Sequence, residues 1–202
     1  MKAPLFGLIV LIVLSITGYL VWSTIITNVK SVTKGPVHYH ADFEIWNCGQ
    51  KIDLIDPHGL ENKTGTPLFH EHNDNRIHVE GAISDYEDVS LGEFFSVVGG
   101  KLDSNALIVP TDSGMVNMGS GTMCKGAPGN LQIFVFKTEG KTFYQEKLVD
   151  PVSYVLSPHS QVPPGDCIII EFDKPKDKTD KLCNFYKIAV EKGELTEVQN
   201  GN

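Results

Sequence analysis

His38-Tyr39-His40-Ala41-Asp42-Phe43-Glu44-Ile45-Trp46 alternates apolar residues at odd positions with polar residues or Trp at even positions. A period of two is the pattern of a half-buried strand, in which residues i and i+2 share a face about 6.6–7 Å apart. His38, His40, Asp42 and Glu44 are therefore expected on one side, away from the core. Asn47-Cys48-Gly49-Gln50 follows as a turn, where glycine fits, and Lys51 to Ile55 reads as a returning strand. The pattern recurs at Phe69-His70-Glu71-His72, through an Asn73-Asp74-Asn75 turn, into Arg76-Ile77-His78-Val79-Glu80. Val37 to Glu80 thus holds six of the seven histidines. If these strands are neighbours, His38, His40, His70, His72 and His78 converge on one polar sheet surface. His58, in Asp56-Pro57-His58-Gly59, and His159, in Ser157-Pro158-His159-Ser160, read as loop residues outside that set.

Imidazole is a ligand for zinc and copper, and for zinc the bond is about 2.0–2.1 Å. Two His-x-His pairs and a fifth histidine exceed what one tetrahedral site needs. They make copper or zinc the expected cofactor and these five residues the expected ligands. Asp42 or Glu44 would add a carboxylate ligand or orient an imidazole. The competing reading is a set of surface histidines with no metal. Met115, Met118 and Met123 beside Cys124 are soft donors that would favour copper, although gap-filling by methionine explains them as well.

Leu5 to Ile26 is 22 residues without a charge, long enough to span a bilayer, with Tyr19 and Trp22 near one end. The apolar run continues beyond any small-x-small cleavage site, which favours an uncleaved anchor over a signal peptide. Residues 1–28 are then a transmembrane anchor, 29–36 a linker, 37–190 one His-rich soluble domain and 191–202 a flexible tail. Lysines flank both ends of the apolar run, so charge does not fix the orientation. The net charge is −8, with no basic patch, which argues against nucleic acid as a partner and leaves the membrane and a metal ion. Cys48, Cys124, Cys167 and Cys183 allow two disulfides in three pairings, consistent with an extracytoplasmic domain.

Elsewhere, Ser90 to Val98 reads as a helix with Ser90 as N-cap, Glu93 closing a capping box and Gly99-Gly100 as terminator. Leu91, Phe94, Phe95 and Val98 form its apolar face, expected to pack on Phe43, Ile45, Ile77 and Val79. Leu107–Val109 is a short strand, Thr111–Asn130 a Gly/Ser-rich loop, and Leu131–Phe136 with Lys141–Lys147 a hairpin. Cys167–Phe172 is a central strand, Asp173–Lys181 a solvated charged linker, and Leu182–Val190 either helix or strand. The fold class is α+β and mostly β: antiparallel sheet with one packed amphipathic helix, behind a single transmembrane helix.

Three segments carry a resemblance. His38 to Phe43 with its Cys48-Gly49 turn, Ile77 to Glu80 ahead of Ser90 to Phe95, and Pro164 to Phe172 resemble a family of small membrane-anchored, His-rich proteins of archaea and small-genome bacteria. The likeness covers most of residues 37–172 and implies no activity; Lys141–Phe172 lacks the Asn-Gly hairpin expected there. Val89–Phe172 also looks loosely like a β-grasp module. The order Gly35, His38, His40, Glu44, Gly49 resembles the first cupin metal motif with altered spacings, and Ile168 stands where the second motif has histidine. Three functions follow: an anchored metal-binding protein for copper or zinc capture, buffering or delivery; a cupin-like metalloenzyme with Glu44 or Glu71 as base; or an envelope structural or interaction protein without metal.

Overall fold

A computed structural model describes residues 3–58, 62–157 and 165–198. His159 and the Pro163-Pro164 segment lie outside them, as does the end of the expected tail, Gln199–Asn202. The chain opens with α1 (Ala3–Lys30), whose apolar side chains are exposed along its length. Its 28 residues reach about 42 Å at ~1.5 Å per residue, enough to cross a membrane core of about 30 Å.

The strands are β1 (Pro36–Asn47), β2 (Gln50–Ile52), β3 (Thr64–Gly65), β4 (Phe69–Glu71) and β5 (Arg76–Ala82). A 3₁₀ turn (Tyr86–Val89) and α2 (Leu91–Val97) follow. Then come β6 (Lys101–Leu102), β7 (Ala106–Thr111), β8 (Gly114–Gly119), β9 (Met123–Cys124) and β10 (Ala127–Pro128). The chain closes with β11 (Asn130–Glu139), β12 (Thr142–Lys147), β13 (Cys167–Asp173), α3 (Asn184–Glu191) and β14 (Thr196–Glu197).

A nine-stranded sheet runs in the order β14-β12-β11-β13-β1-β5-β4-β3, with β2 paired to β1. The α+β class holds, but the sheet is mixed rather than antiparallel. The Asp42–Asn47 half of β1 lies parallel to Cys167–Phe172 of β13, and β12 is parallel to β14. Parallel neighbours need a long crossover, and the chain between β1 and β13 supplies one. The strands of residues 89–172 divide among three sheets: β6-β7-β8 form one, β9-β10 another, and β11 to β13 join the large sheet. A β-grasp arrangement is not established by this.

The alternation of β1 and its neighbours decides the layers. Ala41, Phe43, Ile45, Phe69, Ile77, Val79, Ile168 and Ile170 pack with Leu91, Phe94 and Phe95 of α2 and with Leu107, Val109 and Met118 of the three-stranded sheet. The Phe94 ring sits 5.4 Å from both Phe43 and Phe69. Helix α2 starts where expected, with Ser90 accepting from the Glu93 N–H, and Gly99 follows at φ +85°. The capping box lies one element earlier, between Asp85 and Asp88, because the Ser90 N–H is already bonded to the Glu87 carbonyl.

On the opposite face, α3 packs mainly on the β11–β13 half, and its Phe185 and Lys187 reach Arg76 and Glu44 of the other half. Tyr186 and Ala189 pack on Phe134, Phe136, Phe143 and Ile169, and a Cys167–Cys183 disulfide ties the start of α3 to β13. Strand β13 is thus buried on both sides, which accounts for its continuous apolar run. The β1-β5-β4 half of this face is left to polar side chains.

Several expectations need correction. The second strand stops at Ile52, and Thr111–Asn130 is no loop but β8 with the β9-β10 hairpin. Asp173–Lys181 is largely exposed, as expected, but it is also strapped down: Lys176 Nζ and Thr179 Oγ1 both donate to the buried Glu171, at 2.7 and 2.8 Å. Residues 191–198 carry the end of α3 and β14. The 29–36 linker is pinned: the Val32 N–H donates to Ile83 O (2.8 Å), and the Ile83 N–H donates to Thr33 Oγ1 (3.2 Å).

Candidate metal centre

Three strands set the histidines in a row. His40 of β1 is directly opposite His78 of β5, and His78 is directly opposite His70 of β4. Ring centroids are 4.5 Å apart for His40–His78 and 5.4 Å for His70–His78, the latter pair stacked. His38 and His72 extend this row in opposite directions. Both β1 and β4 run antiparallel to β5, so they share a direction; His38 precedes His40, whereas His72 follows His70. The result is two triplets sharing one corner. His38, His40 and His78 bring ring nitrogens within 4.8 Å of one another, and so do His70, His72 and His78. Tetrahedral zinc places its nitrogen ligands about 3.3 Å apart, given Zn–N bonds of ~2.0–2.1 Å, so a triplet must contract from its present spacing to hold an ion.

The triplets differ in support. The Nδ1–H of His70 donates to the Thr66 carbonyl at 3.0 Å, and that of His72 to the Asn62 carbonyl at 2.5 Å. Each leaves Nε2 with its lone pair free, the usual way a protein fixes the tautomer and aim of a metal-binding histidine. His78 Nε2 donates to Asp74 Oδ2 at 3.1 Å. Against the expectation that all five point to solvent, His70 is 1 % exposed; β3 pairs alongside it with Gly65 directly opposite, and the Thr66 carbonyl takes its ring N–H. The other triplet is open. The His38 side chain is 60 % exposed and contacts Glu80 Oε1 at 3.2 Å. His38 and His40 share a hydrogen bond of 3.0 Å between their Nε2 atoms, so one lone pair there is spent internally.

Protonation suits metal binding. Burial, reinforced by His78 and Arg76, pushes His40 down to about 4. Burial also lowers His70, and it lowers His78 against the opposing pull of Asp74. These three imidazoles are therefore neutral near pH 7, the form that ligates.

The carboxylates proposed alongside the histidines are engaged elsewhere. Asp42 Oδ1 accepts from Arg76 Nε at 2.8 Å, while its Oδ2 is buried without a hydrogen-bond partner; desolvation outweighs the guanidinium and raises its pKa to about 6. Glu44 accepts from Trp46 Nε1 at 3.0 Å and lies 3.7 and 3.9 Å from the amines of Lys51 and Lys187. Glu71 is buried, and its Oε1 accepts the Asp74 and Asn75 N–H groups at 2.7 and 3.3 Å, so it builds the turn that carries Asp74. None of the three joins a histidine triplet, and the two-His-plus-Glu set of the cupin motif is not assembled. A cavity of about 350 Å³ beside the centre is lined by Asp42, Glu44, Trp46, Lys51, Asp74 and Phe185, among others, and by none of the five histidines.

His58 is exposed and outside both triplets. Met118 is buried in the main core and Cys124 is joined to Cys48, so the Met/Cys segment presents no thiolate. Sequence reasoning missed Asp74, Thr66 and Asn62 as partners. Only Asp74 had a signal, as a carboxylate in the turn directly ahead of a histidine strand. No family model, curated protein or solved structure matches the chain.

Proposed function

We propose that this chain is a membrane-anchored, extracytoplasmic metal-binding protein that captures, buffers or delivers copper or zinc through His38, His40, His70, His72 and His78. The observation that carries the reading is the pair of three-histidine groups joined at His78, one of them with both outer imidazoles aimed by backbone carbonyls. Surface histidines gathered by chance have no reason to be so supported. All-imidazole donors suit zinc and copper alike. An outer location is supported by two disulfides and no free thiol among the described residues, since disulfides persist in oxidising compartments. Binding is favoured over catalysis because the neighbouring cavity holds none of the five histidines.

The test is metal content of the full-length protein in detergent, by elemental mass spectrometry after dialysis against a weak chelator. Near-stoichiometric copper or zinc is expected. His40→Ala with His72→Ala takes one ligand from each triplet and should empty the protein while its circular dichroism stays unchanged. Retention of the full metal content by that double variant would remove both residues as ligands.

A further inference from the structure

We infer that the five histidines form two stations for a single ion, an open one (His38, His40, His78) and a sheltered one (His70, His72, His78), and that the ion passes between them by pivoting on His78. This rests on the metal-binding reading above. The geometry sets the limit of one ion. A neutral imidazole has one lone pair, and both triplets draw on the same His78 ring. Two ions would have to share that ring as an imidazolate bridge, which requires loss of its one N–H proton, and the Asp74 carboxylate already holds that proton on Nε2.

Burial gives the stations different roles. The sheltered triplet has a nearly inaccessible member in His70 and two imidazoles aimed by carbonyls. It is pre-organised and should hold the ion more tightly. The open triplet has a largely exposed member in His38, and its Nε2–Nε2 hydrogen bond must break before an ion can enter. It should hold the ion weakly and exchange it fast. Because His40, His78 and His70 are consecutive partners across adjacent strands, an ion crossing between the stations keeps at least one imidazole throughout. The open station also lies at the end of the sheet attached to α1: β1 begins there at Pro36, opposite Ala82, and the next residue, Ile83, bonds to Val32. Traffic through this station therefore takes place on the anchor side of the domain.

The experiment uses Zn²⁺ with the full-length protein in detergent, measuring stoichiometry, affinity, uptake rate and rate of release to excess chromophoric chelator. One zinc per chain is expected. His38→Ala, which removes an exposed side chain with no part in the core, should slow uptake and release together by tenfold or more and cost less affinity than His72→Ala. His72→Ala should weaken affinity at least tenfold and speed release. Two zinc ions per chain would overturn the shared-corner proposal while leaving metal binding intact. So would equal affinity losses in His38→Ala and His72→Ala, which indicate one common site, or unchanged rates in His38→Ala. No zinc bound by the wild type would defeat the metal-binding reading itself.

Discussion

At the residue scale, His40 couples the centre to fold stability. The unfolded chain takes up a proton there as the pH falls through its ordinary value of 6.5, whereas the folded chain holds the ring neutral down to about 4. Between those values the unfolded state binds more protons, so this residue removes stability as the pH falls. Asp42 acts with the opposite sign, because its folded pKa of about 6 lies above the ordinary 3.8 and the folded chain protonates first. The metal-free wild type should therefore show a shallow acid profile from opposing contributions. His40→Gln should become progressively more stable relative to wild type below pH 6.5, read as urea midpoints from pH 7 to 4.5. A difference independent of pH would mean that His40 titrates at its ordinary value in the fold. The period of two in β1 was enough to put His38 and His40 on one face, and likewise His70 with His72. It could not give the row His40–His78–His70, which depends on strand register across three separate segments. Nor could it show that His70 is buried, since residues 62–66 lie close by in sequence but carry no pattern that announces a strand beside it.

At the element scale, the legible pieces were those whose packing face is written locally. Helix α2 shows Leu91, Phe94 and Phe95 at helical spacing, and all three are fully buried. Strand β13 shows an apolar run and lies between two neighbours. By contrast, β8 and β9 carry Gly, Asn and exposed Met115 and Met123, a composition that reads as loop because their stability comes from pairing rather than from a buried stripe. Their attachment is covalent as well. The Cys48–Cys124 disulfide joins the turn after β1 to β9 across 76 residues. On the chain-entropy account a loop of that length contributes about 4.5 kcal/mol. Cys48→Ser with Cys124→Ser should lower unfolding stability by about 2–5 kcal/mol, measured as guanidinium midpoints with the Cys167–Cys183 bridge intact. A change below about 0.5 kcal/mol would mean that the denatured chain already keeps these segments together.

At the scale of the whole molecule, the arrangement is a helix long and apolar enough to cross a membrane with an acidic domain held close behind it; all 25 acidic residues lie beyond Lys30. His38 is eight positions beyond Lys30, so at about 3.3 Å per extended residue the first histidine lies within about 26 Å of the helix end. An acidic domain favours the local concentration of cations. The sequence showed the long apolar helix and the polar segment after it. It could not show that this segment is fastened, because the fastening runs to Ile83, some fifty positions away. Ser31 is buried, the Val32 N–H bonds to the Ile83 carbonyl, and the Ile83 N–H returns to the Thr33 hydroxyl. These reciprocal bonds fix the helix end to the edge of β5, so the domain should not swing freely on its anchor. Amide exchange of the full-length protein in detergent checks this. Val32 and Ile83 should be protected in the wild type. Thr33→Val, which keeps the shape but removes the acceptor, should speed exchange at Ile83 about fivefold, the factor for a hydrogen bond worth ~1 kcal/mol, and leave the β1–β5 amides beyond it unchanged. Exchange at Ile83 at the unprotected rate in the wild type would mean a slack junction, and the open histidines would then sample all directions instead of keeping to the anchor side.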